Sequence, residues 1–217
     1  MRPFAHNWPL MNLRLTTPDL ELRVPTPRMT EELAQVAQHG IHDPSVQPFG
    51  NAWTDGADSG YRVQQWARAK RYGWQPENWT CVLAAVYQGR PVGVQAVAGR
   101  DFRVLREVAT GSWLGLAWQN KGLGTEMRAA ALHLAFAGLD AQYATTSAHA
   151  DNPASLAITR KLGYIPDGID RRVVRGHAVA AQRFRLDRAG WAAHRTVPVG
   201  IDGLEDCLPW FLDQEDT

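Results

Sequence analysis

The sequence predicts an α+β (mixed α/β) fold, a central and mostly antiparallel sheet flanked by helices, on three observations. Apolar runs rich in β-branched residues come in neighbouring pairs around tight glycine turns, first about Gln88-Gly89-Arg90 and again about Arg175-Gly176-His177. Two helical patterns, opening at Thr30 and near Ser59, come before the first pair instead of separating its strands. A single strand, glycine turn, helix, strand unit then occupies the middle of the chain, from Glu107 to Ala148.

Each element has its own local reason. Leu20-Glu21-Leu22-Arg23-Val24 alternates apolar and polar residues as a half-buried strand does, and Pro25-Thr26-Pro27 stops it. Thr30-Glu31-Glu32 opens a helix with Leu33, Val36 and Ala37 on one face, ending near Gly40. Ile41 to Gly56 is a long connection holding Phe49 and Trp53, and long ordered connections tend to carry function. Val63, Trp66 and Ala67 recur at helical spacing between Ser59 and Tyr72. Thr80 to Tyr87 and Pro91 to Ala98 make the first hairpin, Gly99 to Arg106 a polar loop, and Glu107 to Trp118 a strand. Thr125 to Leu139 is dominated by strong helix formers. Tyr143 to Ala148 is a strand, Asn152 to Leu162 a short helix closed by Gly163, and Ile169 to Val174 with Val179 to Leu186 the second hairpin. A helical turn follows from Asp187 to His194.

Composition narrows the function classes. The chain of 217 residues suits one domain, read as a lead-in at 1–19, a body at 20–196 and a tail at 197–217. A formal charge of +1 offers no electrostatic footprint for nucleic acid or an anionic membrane. No run of about eighteen apolar residues exists, and Met1-Arg2-Pro3-Phe4-Ala5-His6 lacks a signal-peptide core. Cys81 and Cys207 form neither a disulfide framework nor a metal-ligand spacing, so both read as structural, no metal is expected, and a reduced cytoplasm is the simplest compartment. The tail, apolar at Leu204, Leu208, Trp210, Phe211 and Leu212, is expected to pack on this domain or on a partner.

The chemistry concentrates in Gln119-Asn120-Lys121-Gly122-Leu123-Gly124, between the apolar run and the alanine-rich helix. Glycines at a strand-to-helix turn let a ligand approach the backbone, and the first helical N–H groups stay unpaired, which makes a cradle for a phosphate. A P-loop would need a lysine after the last glycine, and a dinucleotide fingerprint a third glycine where Met127 stands. What remains is Gln/Arg-x-x-Gly-x-Gly/Ala, or a ligand-free helix start. Downstream, Asn152 suits an N-cap, Pro153 the first helical position and Gly163 the C-terminal left-handed residue, so Asp151-Asn152-Pro153-Ala154-Ser155 to Lys161-Leu162-Gly163-Tyr164 also reads as a plain capped helix.

Taken together and in this order, the two motifs resemble the GNAT superfamily of acyl-CoA N-acyltransferases, in its RimJ/RimL-type branch, over most of Leu20 to Trp191. That resemblance implies a sheet with one splayed pair of parallel strands, acyl-coenzyme A as co-substrate, an amine acceptor and a homodimer. His42-Asp43-Pro44, Pro48-Phe49, Trp53-Thr54, Gly111 to Leu116 and Gly124 to Ala130 are also similar to a mycobacterial member that accepts succinyl-CoA, which adds succinyl to acetyl transfer.

The resemblance also implies roles. Gly122, Leu123, Gly124 and Thr125 would hold the pyrophosphate, with Gln119 shaping the loop and Trp118 beside it. Leu116 or Ala117 would offer an N–H to the developing oxyanion. Asn152 would hold the pantetheine arm, and Ser155 would protonate the departing thiolate. The base is open. Ile169 to Val174 holds no glutamate, Glu107 begins the central strand, and His149 and Asp151 are alternatives. Phe49, Trp53, Trp66, Trp74 and Trp113 are expected to wall the acceptor site or to pack in the core and lid, the commoner fate of tryptophan. Arg171, Arg172 and Arg175 form a basic cluster suited to an anionic group or to an exposed hairpin edge. The other function class consistent with the missing base is an acyl-CoA-binding regulatory protein without turnover.

Overall fold

The computed structural model describes residues 7 to 212, so the reading of the first six residues lies outside it. The chain begins with β1 (Arg14–Thr16) and β2 (Leu20–Arg23), then α1 (Pro27–Gln38) and α2 (Ser59–Tyr72). Next come β3 (Asn78–Tyr87), β4 (Arg90–Arg100), the single turn α3 (Phe102–Leu105), β5 (Glu107–Leu114), α4 (Leu123–His133) and β6 (Tyr143–His149). It closes with α5 (Pro153–Lys161), β7 (Ile165–Val174), β8 (His177–Asp187), α6 (Arg188–His194), β9 (Gly200–Asp202) and α7 (Leu208–Leu212). Among the described residues nine strands join one sheet, in the order β7-β8-β6-β5-β4-β3-β2-β1-β9, and only β5 and β6 run parallel. The mostly antiparallel sheet with one parallel pair is therefore as expected.

The central strands are covered on both faces. Alternate residues of β3 divide between the two layers, Cys81, Leu83 and Ala85 packing with Met127 and Phe136, and Val82, Ala84 and Val86 with Leu33 and Val63. That two-sided burial explains why the run reads as continuously apolar. The first hairpin turns through Gln88 and Gly89 at φ of +49° and +78°, the geometry that matches strand twist.

Several boundaries differ from the sequence reading. Helix α1 starts at Pro27, because Thr26 accepts the Met29 N–H and proline suits the first helical position; the tripeptide ends one element by starting the next. The expected polar loop at Gly99–Arg106 is partly strand and partly helical turn, anchored by fully buried Phe102. Helix α4 ends at His133, and Leu134 to Gly138 widens so that the Leu139 N–H reaches the Leu134 carbonyl at 2.8 Å. Strand β7 begins four residues early, across a bulge between Pro166 and Ile169 where Gly168 has φ +103°.

The described part of the tail, up to Leu212, packs on its own domain. Strand β9 pairs with β1, Phe211 is buried, and the Trp74 indole N–H donates to the Trp210 carbonyl at 3.0 Å. Trp8, Trp74, Trp79 and Phe211 lie ring against ring there.

Candidate active site

The site is made where two neighbouring strands part. Strands β5 and β6 pair only over Glu107–Ala109 and Tyr143–Thr145. Beyond that point β5 follows β4 as far as Leu114, and β6 follows β8 as far as His149. Threonines seal the apex, Thr110 Oγ1 donating to the Thr145 carbonyl (3.3 Å) and Thr146 Oγ1 to the Thr110 carbonyl (3.1 Å). The Gly115 N–H donates to Val92 next to β4, so by the two-residue repeat the Ser112 and Leu114 N–H groups face the opening.

The glycine turn closes one end of this notch. Gln119 ties it down, its amide donating to Ile41 (2.6 Å) and Leu114 (2.9 Å) carbonyls. Gly122 stands at φ +84° with open space where a Cβ would be, so its backbone angle, not crowding, requires glycine. Gly124 is different: a Cβ there would meet Ile158 at 3.1 Å, and its smallness lets α4 approach α5. The N–H groups of Gly122, Leu123 and Gly124 have no protein acceptor among the described residues, whereas that of Thr125 turns back to Gly122 at 2.9 Å.

The expectation for the Leu116 N–H is corrected. Strand β5 stops at Leu114, and Leu116 to Trp118 form a tight turn against α1, in a groove with Val36 and Gly40. The Leu116 N–H donates to the Gly40 carbonyl at 3.1 Å, so it is not available to an oxyanion; Ser112 and Leu114 on the strand itself are.

At the mouth of the notch, Asn152 caps α5 by accepting the Ser155 N–H at 3.0 Å, which leaves its amide NH2 outward. The Ser155 hydroxyl is half-buried and has no hydrogen-bond partner among the described residues. His149 ends β6, opposite Ala181 of β8, and does not line the cleft described below. His149 is buried, and its Nδ1 lies 3.1 Å from the Gln47 carbonyl. A carbonyl only accepts, so Nδ1 is the donor, and the buried Nε2 has no hydrogen-bond partner among the described residues.

A cleft of about 570 Å³ is lined by Phe49, Trp53, Trp66, Trp113, Gly111, Ser112, Arg62 and Arg172 among others. Its aromatic residues are wall and packing at once, since Phe49, Trp53, Trp66 and Trp113 also cover the core under α1 and α2. The three hairpin arginines separate. Arg172 lines the cleft and donates to Ser147 at 3.0 Å, while exposed Arg171 lies outside its lining. Arg175 grips Asp55 through two bonds of 2.7 and 2.8 Å, latching the 41–58 connection to the hairpin. That hydrogen bond holds the Asp55 carboxyl below its ordinary range. Glu107 sits at the sealed end of β5 beside Arg185 (3.5 Å) and does not line the cleft.

Sequence reasoning missed Arg62, Gln47 and Ser112. Arg62 precedes Trp66 by four residues on α2, and that spacing alone places both on one helix face.

Residues 19–165 match the family model described as an acetyltransferase (GNAT) domain. Among solved structures, the chain is similar to Mycobacterium smegmatis RimJ in complex with CoA-disulfide, at TM-score 0.70 and 19% identity, covering 86% of this chain and 94% of that one. It is also similar to RimL, a ribosomal alpha-N-protein acetyltransferase in complex with coenzyme A (0.66, 17%, 79% and 95%). A GCN5-related N-acetyltransferase from Brucella melitensis matches at 0.63 and 16%, over 84% of this chain and 81% of that one.

Proposed function

This chain belongs to the GNAT acetyltransferase family, and on that premise we propose that it transfers an acetyl group from acetyl-CoA to a primary amine by direct attack. The observation that carries the reading is the notch itself, with unpaired amides at its mouth (Gly122, Leu123, Gly124) and along its wall (Ser112, Leu114). The first group would take the diphosphate, where the helix start favours negative charge. The second would take the thioester carbonyl oxygen as it becomes negative.

A thioester is already activated, so holding amine and carbonyl side by side supplies much of the acceleration. The amine nitrogen bonds to the carbonyl carbon, the C–S bond breaks, and one amine proton must leave. The partnerless Nε2 of His149, at the end of β6 and outside the cleft lining, is the acceptor this reading assigns. Ser155, unpaired at the α5 N-terminus, would hand its hydroxyl proton to the departing sulfur and regain one from solvent. Asn152 would orient the pantetheine arm. Succinyl transfer rests on the sequence similarities and on Arg172 in the cleft. The resemblance is also the ground for expecting a homodimer and a protein or small-molecule amine. Among the described residues no helix is long and apolar enough to cross a membrane, and no cluster suits a metal ion.

The test is calorimetric titration with coenzyme A, followed by thiol release from acetyl-CoA and succinyl-CoA against a panel of amines. Micromolar binding with amine-dependent thiol release is expected. Binding without release from any pair would leave a ligand-binding protein and retire the transferase reading.

A further inference from the structure

The cleft has a charge pattern that the transferase reading does not require. It is lined by two arginines, Arg62 from α2 and Arg172 from β7, and by no aspartate or glutamate among the described residues. Both arginines keep donors in reserve. Arg62 spends Nη1 on the Ala52 and Trp53 carbonyls (3.1 and 3.2 Å), and Arg172 spends Nη2 on Ser147 and, at 3.5 Å, Asp170. The other acid close to this face, Asp55, is taken by Arg175. Between the two guanidinium groups the walls are Phe49, Trp53, Trp66 and Trp113.

We propose that the acceptor bound in this cleft is a small amine bearing its own carboxylate on an apolar or aromatic body, with Arg62 and Arg172 as its counter-ions. The inference rests on the transferase reading and names its substrate class. Three physical arguments support it. Guanidinium forks match a carboxylate, which forms their strongest hydrogen bonds. A cleft of about 570 Å³ has the size that encloses a drug-like body, far more than a short acyl chain fills, so the acceptor is its occupant. Arg62, whose side-chain bonds go to carbonyls and not to a carboxylate, also disfavours the ammonium form of the incoming amine, which promotes the neutral nucleophile.

The experiment compares L-phenylalanine with L-phenylalaninamide, and leucine with leucinamide, as acceptors for acetyl-CoA. Each pair shares amine and side chain and differs in the carboxylate. With kcat/KM expressed per unprotonated amine, the acids should exceed the amides by about tenfold or more. Arg62→Gln and Arg172→Gln should each pull that ratio toward one. A wild-type ratio at or below one overturns the inference, as does a ratio that survives both substitutions. So does a charge preference that appears only when a dicarboxylic monothioester replaces acetyl-CoA. The wild-type ratio needs no variant, and should Arg172→Gln fail to fold, Arg62→Gln still decides the assignment. Absence of coenzyme A binding in the parallel calorimetry means that the parent reading has failed. Thiol release with other amines of the panel while all four of these stay inert retires the acceptor class alone.

Discussion

The two ends of the β5–β6 pair are built from the same strands and behave oppositely. At Glu107–Ala109 the backbones bond to each other, threonine hydroxyls cross the seam, and Glu107 pairs with Arg185. Four residues further on, each strand keeps its outer neighbour and leaves its inner amides bare. Backbone N–H groups without protein partners must be met by water or by a ligand, and a row of them in one place is what the proposed diphosphate and thioester would use. The contrast teaches that function here is a local interruption of a pairing rule the rest of the sheet obeys.

That contrast can be broken at several points. The largest effect is expected at the glycine turn. Gly122→Val forces a β-branched residue to φ +84° and should weaken coenzyme A binding by about a hundredfold in calorimetry, through roughly 2 kcal/mol or more of strain. Gly124→Ala, which asks Ile158 to yield a few tenths of an ångström, should bind nearly as the parent does.

Next come the groups proposed to handle protons at the open end. His149→Asn retains a donor toward the Gln47 carbonyl but removes the Nε2 lone pair, and kcat should fall about a hundredfold with coenzyme A affinity unchanged. Ser155→Ala should cost about tenfold in kcat. Glu107→Gln, at the sealed end, should leave turnover within about twofold; a loss as large as that of His149→Asn would show that the two ends are not distinct.

A smaller effect is expected at the latch. Asp55→Asn should raise the acceptor KM a few-fold without changing coenzyme A binding, because the 41–58 connection loses its grip on Arg175. The Arg175 hydrogen bond depresses the Asp55 pKa, so the latch is complete at neutral pH and is lost as pH falls through that lowered value. Acceptor KM measured downward from neutrality should rise only on that acid side. The least change should come from the cysteines. Burial raises both thiols, that of Cys207 to about 12, so a disulfide thiol reagent should find almost no reactive thiol until the chain unfolds. A fast reaction in the folded protein would contradict the packing around them.

Much of this was legible in advance, for identifiable reasons. The hairpins, α2 and the capped helix at Asn152 were readable because local chemistry decides them: glycines at positive φ, helical spacing, an N-cap followed by proline. Gln119 and the glycines stood out because backbone geometry limits which residues fit there. Less readable was whatever depends on a partner distant in sequence. Strand β5 stops at Leu114 because Leu116 is drawn to Gly40, and no local signal marks that contact. The three arginines of one hairpin look equivalent in sequence, yet Asp55, 120 residues away, takes one of them. Arg62 escaped notice for the opposite reason, as a charged residue on an exposed helix resembles any solvated one until the cleft appears beneath it.

The pairing of β9 with β1 has a practical side. Deleting everything from Gly200 onward would strip the last strand from that border of the sheet and remove Phe211 from among Trp74 and Trp79. A shortened chain of that kind should emerge from expression as insoluble material although every residue of the catalytic notch is present, because a bare strand margin beside uncovered indoles invites chains to stack.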